Sequence, residues 1–137
     1  MEPIPPEELR RIVGVFLQQE RVLSLATVDD QGQPHAANLW YASDDDNRLF
    51  YVSHPQSAHS RHVAVRPQVA VTVFAPVARA EEIQGVQIHG RCALVTGLAE
   101  QAAALALFLR RYPELALKPA VVARMRSESF YRIDAHW

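Results

Sequence analysis

Hydroxyl and basic side chains crowd one short stretch of this chain, Ser53-His54-Pro55-Gln56-Ser57-Ala58-His59-Ser60-Arg61-His62, directly after the apolar run Phe50-Tyr51-Val52. The pattern reads as a strand that delivers the backbone to a helix starting at Ser57. The first amides of a helix have no carbonyl partner within it, and the aligned peptide dipoles place partial positive charge there. Ser53, Ser57, His59 and Arg61 bring donors and charge to the same point. A phosphate would therefore meet several partners at once. The plainer reading of the same residues is a serine N-cap followed by surface histidines.

Two further patches suit the wall of a flat ligand with a polar edge. In Ala36-Ala37-Asn38-Leu39-Trp40-Tyr41, strand alternation puts Asn38 and Trp40 on one face and Leu39 and Tyr41 on the other. Further along, Gln87, His89 and Arg91 alternate with Val86, Ile88 and Cys92. Ordinary strands with a wet outer face give the same pattern. The six histidines raise the question of a metal, and His54, His59 and His62 lie close together. No cysteine or carboxylate stands near them to complete a ligand set, so no metal is expected. His35, His89 and His136 read as pocket or surface residues. No Gly-x-Ser-x-Gly elbow occurs, Cys92 has no evident base, and the five glycines form neither a Walker loop nor a dinucleotide fingerprint. No catalytic side chain is singled out, so chemistry is expected to come with a bound cofactor.

The elements that must position these residues follow from periodicity. Leu9, Ile12, Val13, Phe16 and Leu17 form one stripe behind Pro5 and Pro6, with Glu7, Arg10, Arg11 and Gln18 opposite, which predicts an amphipathic N-terminal lid helix. Residues 21–28 alternate, with Leu23, Leu25 and Thr27 on one side. The turn Asp29-Asp30-Gln31-Gly32 sends residues 34–43 back as a hairpin. Asp44-Asp45-Asp46-Asn47 makes a second turn before a third strand at residues 48–53. After the short helix, Pro67 blocks continuation and Val69, Val71 and Val73 predict a strand buried on both sides. Residues 83–96 form the longest strand, with Gly85 and Gly90 as bulge or bend points. Residues 98–112 are helical, 115–126 are a short helix or an ordered loop, and 129–137 close the chain as a last strand. The expected fold is mainly β (α+β): a six-stranded antiparallel Greek-key split β-barrel with an N-terminal helix, a short helix after strand three and a helix before the last strand.

At 137 residues the chain reads as one domain spanning 1–137, and 49% hydrophobic residues suffice for a real core. A net charge of -1 gives no general attraction to nucleic acid or to an anionic membrane, so neither is an expected partner. Cys92 stands alone, which fits core packing in a reducing compartment. Neither a secretion signal nor an apolar run of spanning length is seen, and a cytoplasmic location is expected.

In order and separation, three motifs resemble the pyridoxamine 5'-phosphate oxidase-like, FMN-binding split-barrel superfamily, most closely its small bacterial members. They are Ala36-Ala37-Asn38-Leu39-Trp40-Tyr41, then Phe50-Tyr51-Val52-Ser53 through Ser57-Ala58-His59 to Arg66-Pro67, and Ile83-Gln84-Gly85-Val86-Gln87-Ile88-His89-Gly90. The resemblance implies that Ser53, Ser57 and His59 grip the phosphate of FMN. It also implies a homodimer with each flavin at the subunit interface, the ring lying near Asn38, Trp40 and Tyr41 of strand two and near Gln87. Ala58 stands where the oxidases carry arginine and His59 where they carry lysine, with Arg61 or His62 as the compensating charge. The oxidases' C-terminal arginine-containing substrate motif has no counterpart before Trp137, so oxidation of pyridoxamine phosphate itself is not expected. The implied function is that of an FMN-dependent oxidoreductase for an unidentified small-molecule substrate. A non-catalytic module that sequesters flavin or haem is the alternative.

Overall fold

The computed structural model describes residues 2–137. Helix α1 (Pro6–Gln19) starts with proline at its first position, where no amide donor is missed, and carries Glu7 and Glu8 in the turn favoured for acids. It leads into β1 (Val22–Val28) and β2 (Pro34–Trp40), joined by a turn with Gly32 at positive φ. Then follow β3 (Ala42–Ser43), β4 (Leu49–Ser53), α2 (Ala58–Val65), β5 (Gln68–Ala75) and the long β6 (Gln84–Leu94). Helices α3 (Leu98–Arg111) and α4 (Pro119–Ser127) precede β7 (Ser129–Ala135). The stretch between α3 and β7 is thus mostly helical: a 3-10 turn over Pro113–Leu117 is followed, after Lys118, by α4, which again has proline at its start.

Seven strands make one antiparallel sheet in the order β2-β1-β5-β6-β7-β4-β3. Its two edge strands, β2 and β3, are consecutive in the chain and separated only by Tyr41. The sheet therefore curls until one continuous segment serves both edges. The single strand expected over residues 34–43 is for this reason two, and the strand count is seven rather than six. Tyr41 makes the transition possible: its amide donates to the Arg21 carbonyl at 3.0 Å, its hydroxyl donates to the Leu17 carbonyl at 2.8 Å, and its own carbonyl accepts from the Tyr112 hydroxyl.

Alternation fills the inside of the curl with Leu23, Leu25, Leu49, Tyr51, Val71, Cys92 and Ile133, closed at one side by Val13 and Leu17 of α1. A second core lies outside the curl, where Phe50 and Phe130 meet Ala104 and Phe108 of α3, Tyr112 at its C-cap and Met125 of α4. Two expectations need correction. Strand β5 is buried on one side only: Val69, Val71 and Val73 face the core, while Thr72 and Phe74 are exposed on the opposite face. Neither Gly85 nor Gly90 makes a bulge, since the β5–β6 register runs unbroken from Gln68↔Arg91 to Ala75↔Gln84. Gly90 instead admits a close neighbour, because a Cβ there would lie 2.5 Å from the Asp134 carbonyl oxygen.

Candidate functional site: a serine–histidine cradle at the start of α2

Strand β4 turns Leu49, Tyr51 and Ser53 toward the interior, so its last inward side chain is a hydroxyl at the end of the curl. The chain reverses over His54–Ser57, closed by the Ser57 amide on the His54 carbonyl at 3.0 Å, and α2 begins. Ser57 is the N-cap and accepts from the Ser60 amide at 3.4 Å. His59 Nε2 lies 2.7 Å from Ser53 Oγ and 3.2 Å from Ser57 Oγ, and the two hydroxyls are 3.2 Å apart. The first backbone bond of α2 runs from the Arg61 amide to the Ser57 carbonyl. The amides of Ala58 and His59 thus precede the helical ladder and point out of its start.

Burial, and secondly the neighbouring His62, hold the His59 imidazole below the usual histidine range. At neutral pH the cradle is therefore a set of neutral donors and acceptors rather than a fixed cation. Hydroxyls, an imidazole N–H and helix-start amides still fit a phosphate, which takes hydrogen bonds on all its oxygens. A dianion seated there would in turn favour protonated His59. Arg61 is exposed and makes no ion pair among the described residues, whereas Arg66 is engaged with Asp30 at 2.7 Å.

His62 belongs to a different contact. Its Nδ1 is 2.8 Å from Thr27 Oγ1, its ring lies 4.6 Å from that of His35, and His35 Nε2 is 2.9 Å from Asp29. Helix α2 is thereby fastened to the β1–β2 hairpin by one histidine while the other faces the cradle. His59 and His62 diverge, and among the described residues no three His, Cys, Asp or Glu side chains converge on a metal-sized space.

The remaining residues picked out by sequence divide into two groups. Asn38, Trp40 and Gln87 share the outer face of the sheet: Trp40 pairs with Val22, Asn38 with Ser24, Ser24 with Thr72, and Thr72 with Gln87. Asn38 accepts from the Ser24 hydroxyl at 2.6 Å, and the Trp40 ring leans on Tyr112 at 5.2 Å. Tyr41 does not join them. Its side chain is fully buried and bonded to α1, because the strand break at this residue commits it to the core. Two serines beside the cradle are not singled out by the sequence. Ser60 Oγ backs Ser57 Oγ at 2.7 Å, and Ser129 lies directly opposite Ser53 in the β4–β7 register. The Ser-x-x-Ser spacing could have flagged the first, whereas the second depends on which strand pairs with β4.

An antiparallel sheet closed on itself by a single chain crossing, with a polar helix start at one end, defines a split β-barrel protein. Residues 11–137 match the pyridoxamine 5'-phosphate oxidase family, and the chain belongs to it. A UPF0306 protein of Yersinia pseudotuberculosis serotype O:3 (strain YPIII) is 30% identical over 102 residues, which are 74% of this chain and 69% of that relative. Among solved structures, the conserved hypothetical protein Rv2991 from Mycobacterium tuberculosis superposes with a TM-score of 0.78 at 22% identity, over 98% of this chain and 82% of that one. HutZ, the haem storage protein from Vibrio cholerae, gives 0.74 at 17% identity over 93% and 89%. A FAD-binding protein, mll6688, from Mesorhizobium loti gives 0.69 at 22% identity over 98% and 91%. At these identities the structural likenesses establish the fold.

Proposed function

We propose that this chain is an FMN-binding flavoprotein that works as a homodimeric oxidoreductase on a small molecule. The observation that carries the reading is the convergence of Ser53 Oγ, Ser57 Oγ and His59 Nε2 within 3.2 Å of one another at a helix start. Ser53, Ser57 and His59 hold the phosphate, and the exposed Arg61 supplies charge one turn along. Asn38, Trp40 and Gln87 form the wall for the ring. They lie on the sheet face left bare in one chain, so a second copy laid over that face completes the site. Membership of the oxidase family and the fold shared with a FAD-binding protein support flavin as the ligand. Bound flavin would supply hydride transfer, so the protein needs to hold and orient it and exclude water.

A second reading, a non-catalytic module that sequesters flavin or haem, is favoured by the fold shared with a haem storage protein and by the lack of a fixed cation within the cradle. Absorption spectroscopy of the purified protein separates the two. Flavin bands that dithionite bleaches and air restores, with FMN identified by mass in the released ligand, support the oxidoreductase. A haem absorption band supports the module, and a colourless protein that cannot be loaded with FMN refutes the flavin reading.

A further inference from the structure

We infer that the space under α1 is a second ligand site, separate from the cradle, for a neutral apolar molecule of one or two rings. A cavity of about 370 Å³ lies between α1, the start of β6 and the end of β7. Its inner wall is Val13 and Leu17 of α1 with Val86 and Ile88 of β6 and Ala135 of β7. Asn47 and His136 are its polar side chains, the alternation of β6 turns the Gln87 side chain to the outer face, and no carboxylate, lysine or arginine side chain lines it among the described residues. Inside the cavity a charged ligand would lose its hydration with no opposite charge on the wall to replace it, since the one nearby cation, Arg10, stands at the mouth over Trp137. A neutral one loses only apolar contact with water. The cavity is open on one side, and its volume is in the range of pockets that take ring-sized ligands.

The cavity has a fixed back and a lighter front. At its C-terminal end α1 is tied down by Tyr41 on the Leu17 carbonyl at 2.8 Å and by Gln18 on the Ser43 carbonyl at 3.0 Å. At the front, the chain beyond β7 stays on β6 through the His136 amide on the His89 carbonyl at 2.8 Å, and the Trp137 ring then lies under the Arg10 guanidinium at 5.2 Å. This cation–π contact bridges α1 and the end of the chain across the cavity, and both its members stand at the surface. Leu9 lines the cavity yet is 39% exposed, which marks the entrance. The amphipathic stripe of α1 is thus wider than the core it covers, and the excess borders a cavity.

The test uses the full chain and the uncharged fluorophore N-phenyl-1-naphthylamine, whose emission rises in apolar surroundings. The wild-type protein is expected to bind it saturably, one per chain. Ala135→Phe fills the cavity and Leu9→Trp narrows its entrance, and each is expected to weaken binding about tenfold or more. Leu9→Trp lies at the surface and decides the matter if Ala135→Phe does not fold. Arg10→Ala is expected to speed probe release several-fold, roughly what loss of one cation–π contact allows. Ser57→Ala with His59→Ala is expected to leave probe binding unchanged, whatever it does to FMN. Absence of saturable binding by the wild type, wild-type affinity in the folded filling variants, or loss of the probe in the cradle variant would each overturn the assignment.

Discussion

His59 is held neutral by its surroundings yet stands where an anion would want it charged, and both halves of that statement have measurable consequences. Burial lowers its pKa in the folded chain, so on acidification the unfolded chain takes up the proton first. Stability from neutral His59 is therefore complete above the ordinary histidine pKa of about 6.5 and is lost as pH falls through that region. The wild-type melting temperature should drop between pH values of about 7.5 and 5.5, and His59→Gln should show a smaller drop; equal drops would remove His59 as the cause. The anion half concerns FMN against riboflavin, which lacks the phosphate. Ser57→Ala with His59→Ala should weaken FMN by about 2 kcal/mol or more, the worth of two lost charge-assisted hydrogen bonds, with little effect on riboflavin. Equal losses for both ligands, measured by fluorescence titration, would move the phosphate elsewhere.

At the scale of elements, two close approaches fix how α1 and β7 sit on the sheet. Asn47 has a left-handed backbone, φ 58°, and its side-chain Nδ2 donates to the Arg10 carbonyl at 2.9 Å, while its Oδ1 lies 2.9 Å from where a Cβ on Gly14 would be. Glycine inside a helix ordinarily costs about 1 kcal/mol against alanine. Gly14→Ala should nevertheless fail to stabilise, because Asn47 cannot yield without releasing its bond to α1. Adding Asn47→Gly keeps the backbone conformation and removes the obstruction, so the double variant should recover the alanine benefit relative to Asn47→Gly alone; urea unfolding of the four proteins decides. Gly90→Ala meets carbonyl rather than side chain and should cost about 1–3 kcal/mol in the same assay. Parity along strands was legible in the sequence, and Leu23, Leu25 and Thr27 are buried as the alternation requires. The glycine roles were not, since a close approach is made by a residue distant in the chain. The helix at α4 was half legible: Pro119 signals a start, but its run of valine, alanine and arginine gains a preferred state only when Met125 finds the second core.

For the whole molecule, the bare face of the sheet is the dominant feature. Trp40 is 56% exposed and Phe74 65%, on the side that also carries Val22 and the small residues Ala26, Ala36 and Ala70. Large apolar groups gathered on one face of a small protein mark an interaction surface. If a second copy covers it, light scattering should give twice the chain mass, and Trp40→Glu with Phe74→Glu should give a folded monomer with an unchanged far-ultraviolet spectrum. A wild-type monomer, or a dimer indifferent to both substitutions, would place the interface elsewhere. The sequence by itself determined most of the elements, the alternation along the strands and the helix start at Ser57, because these depend on neighbours within a few residues. The tertiary structure alone decided that residues 34–43 serve both edges of the sheet, that Tyr41 belongs to the core, that Ser129 faces Ser53 and that α1 leaves a cavity beneath it. Each of these depends on how far the sheet curls, and curl is set by contacts between segments tens of residues apart.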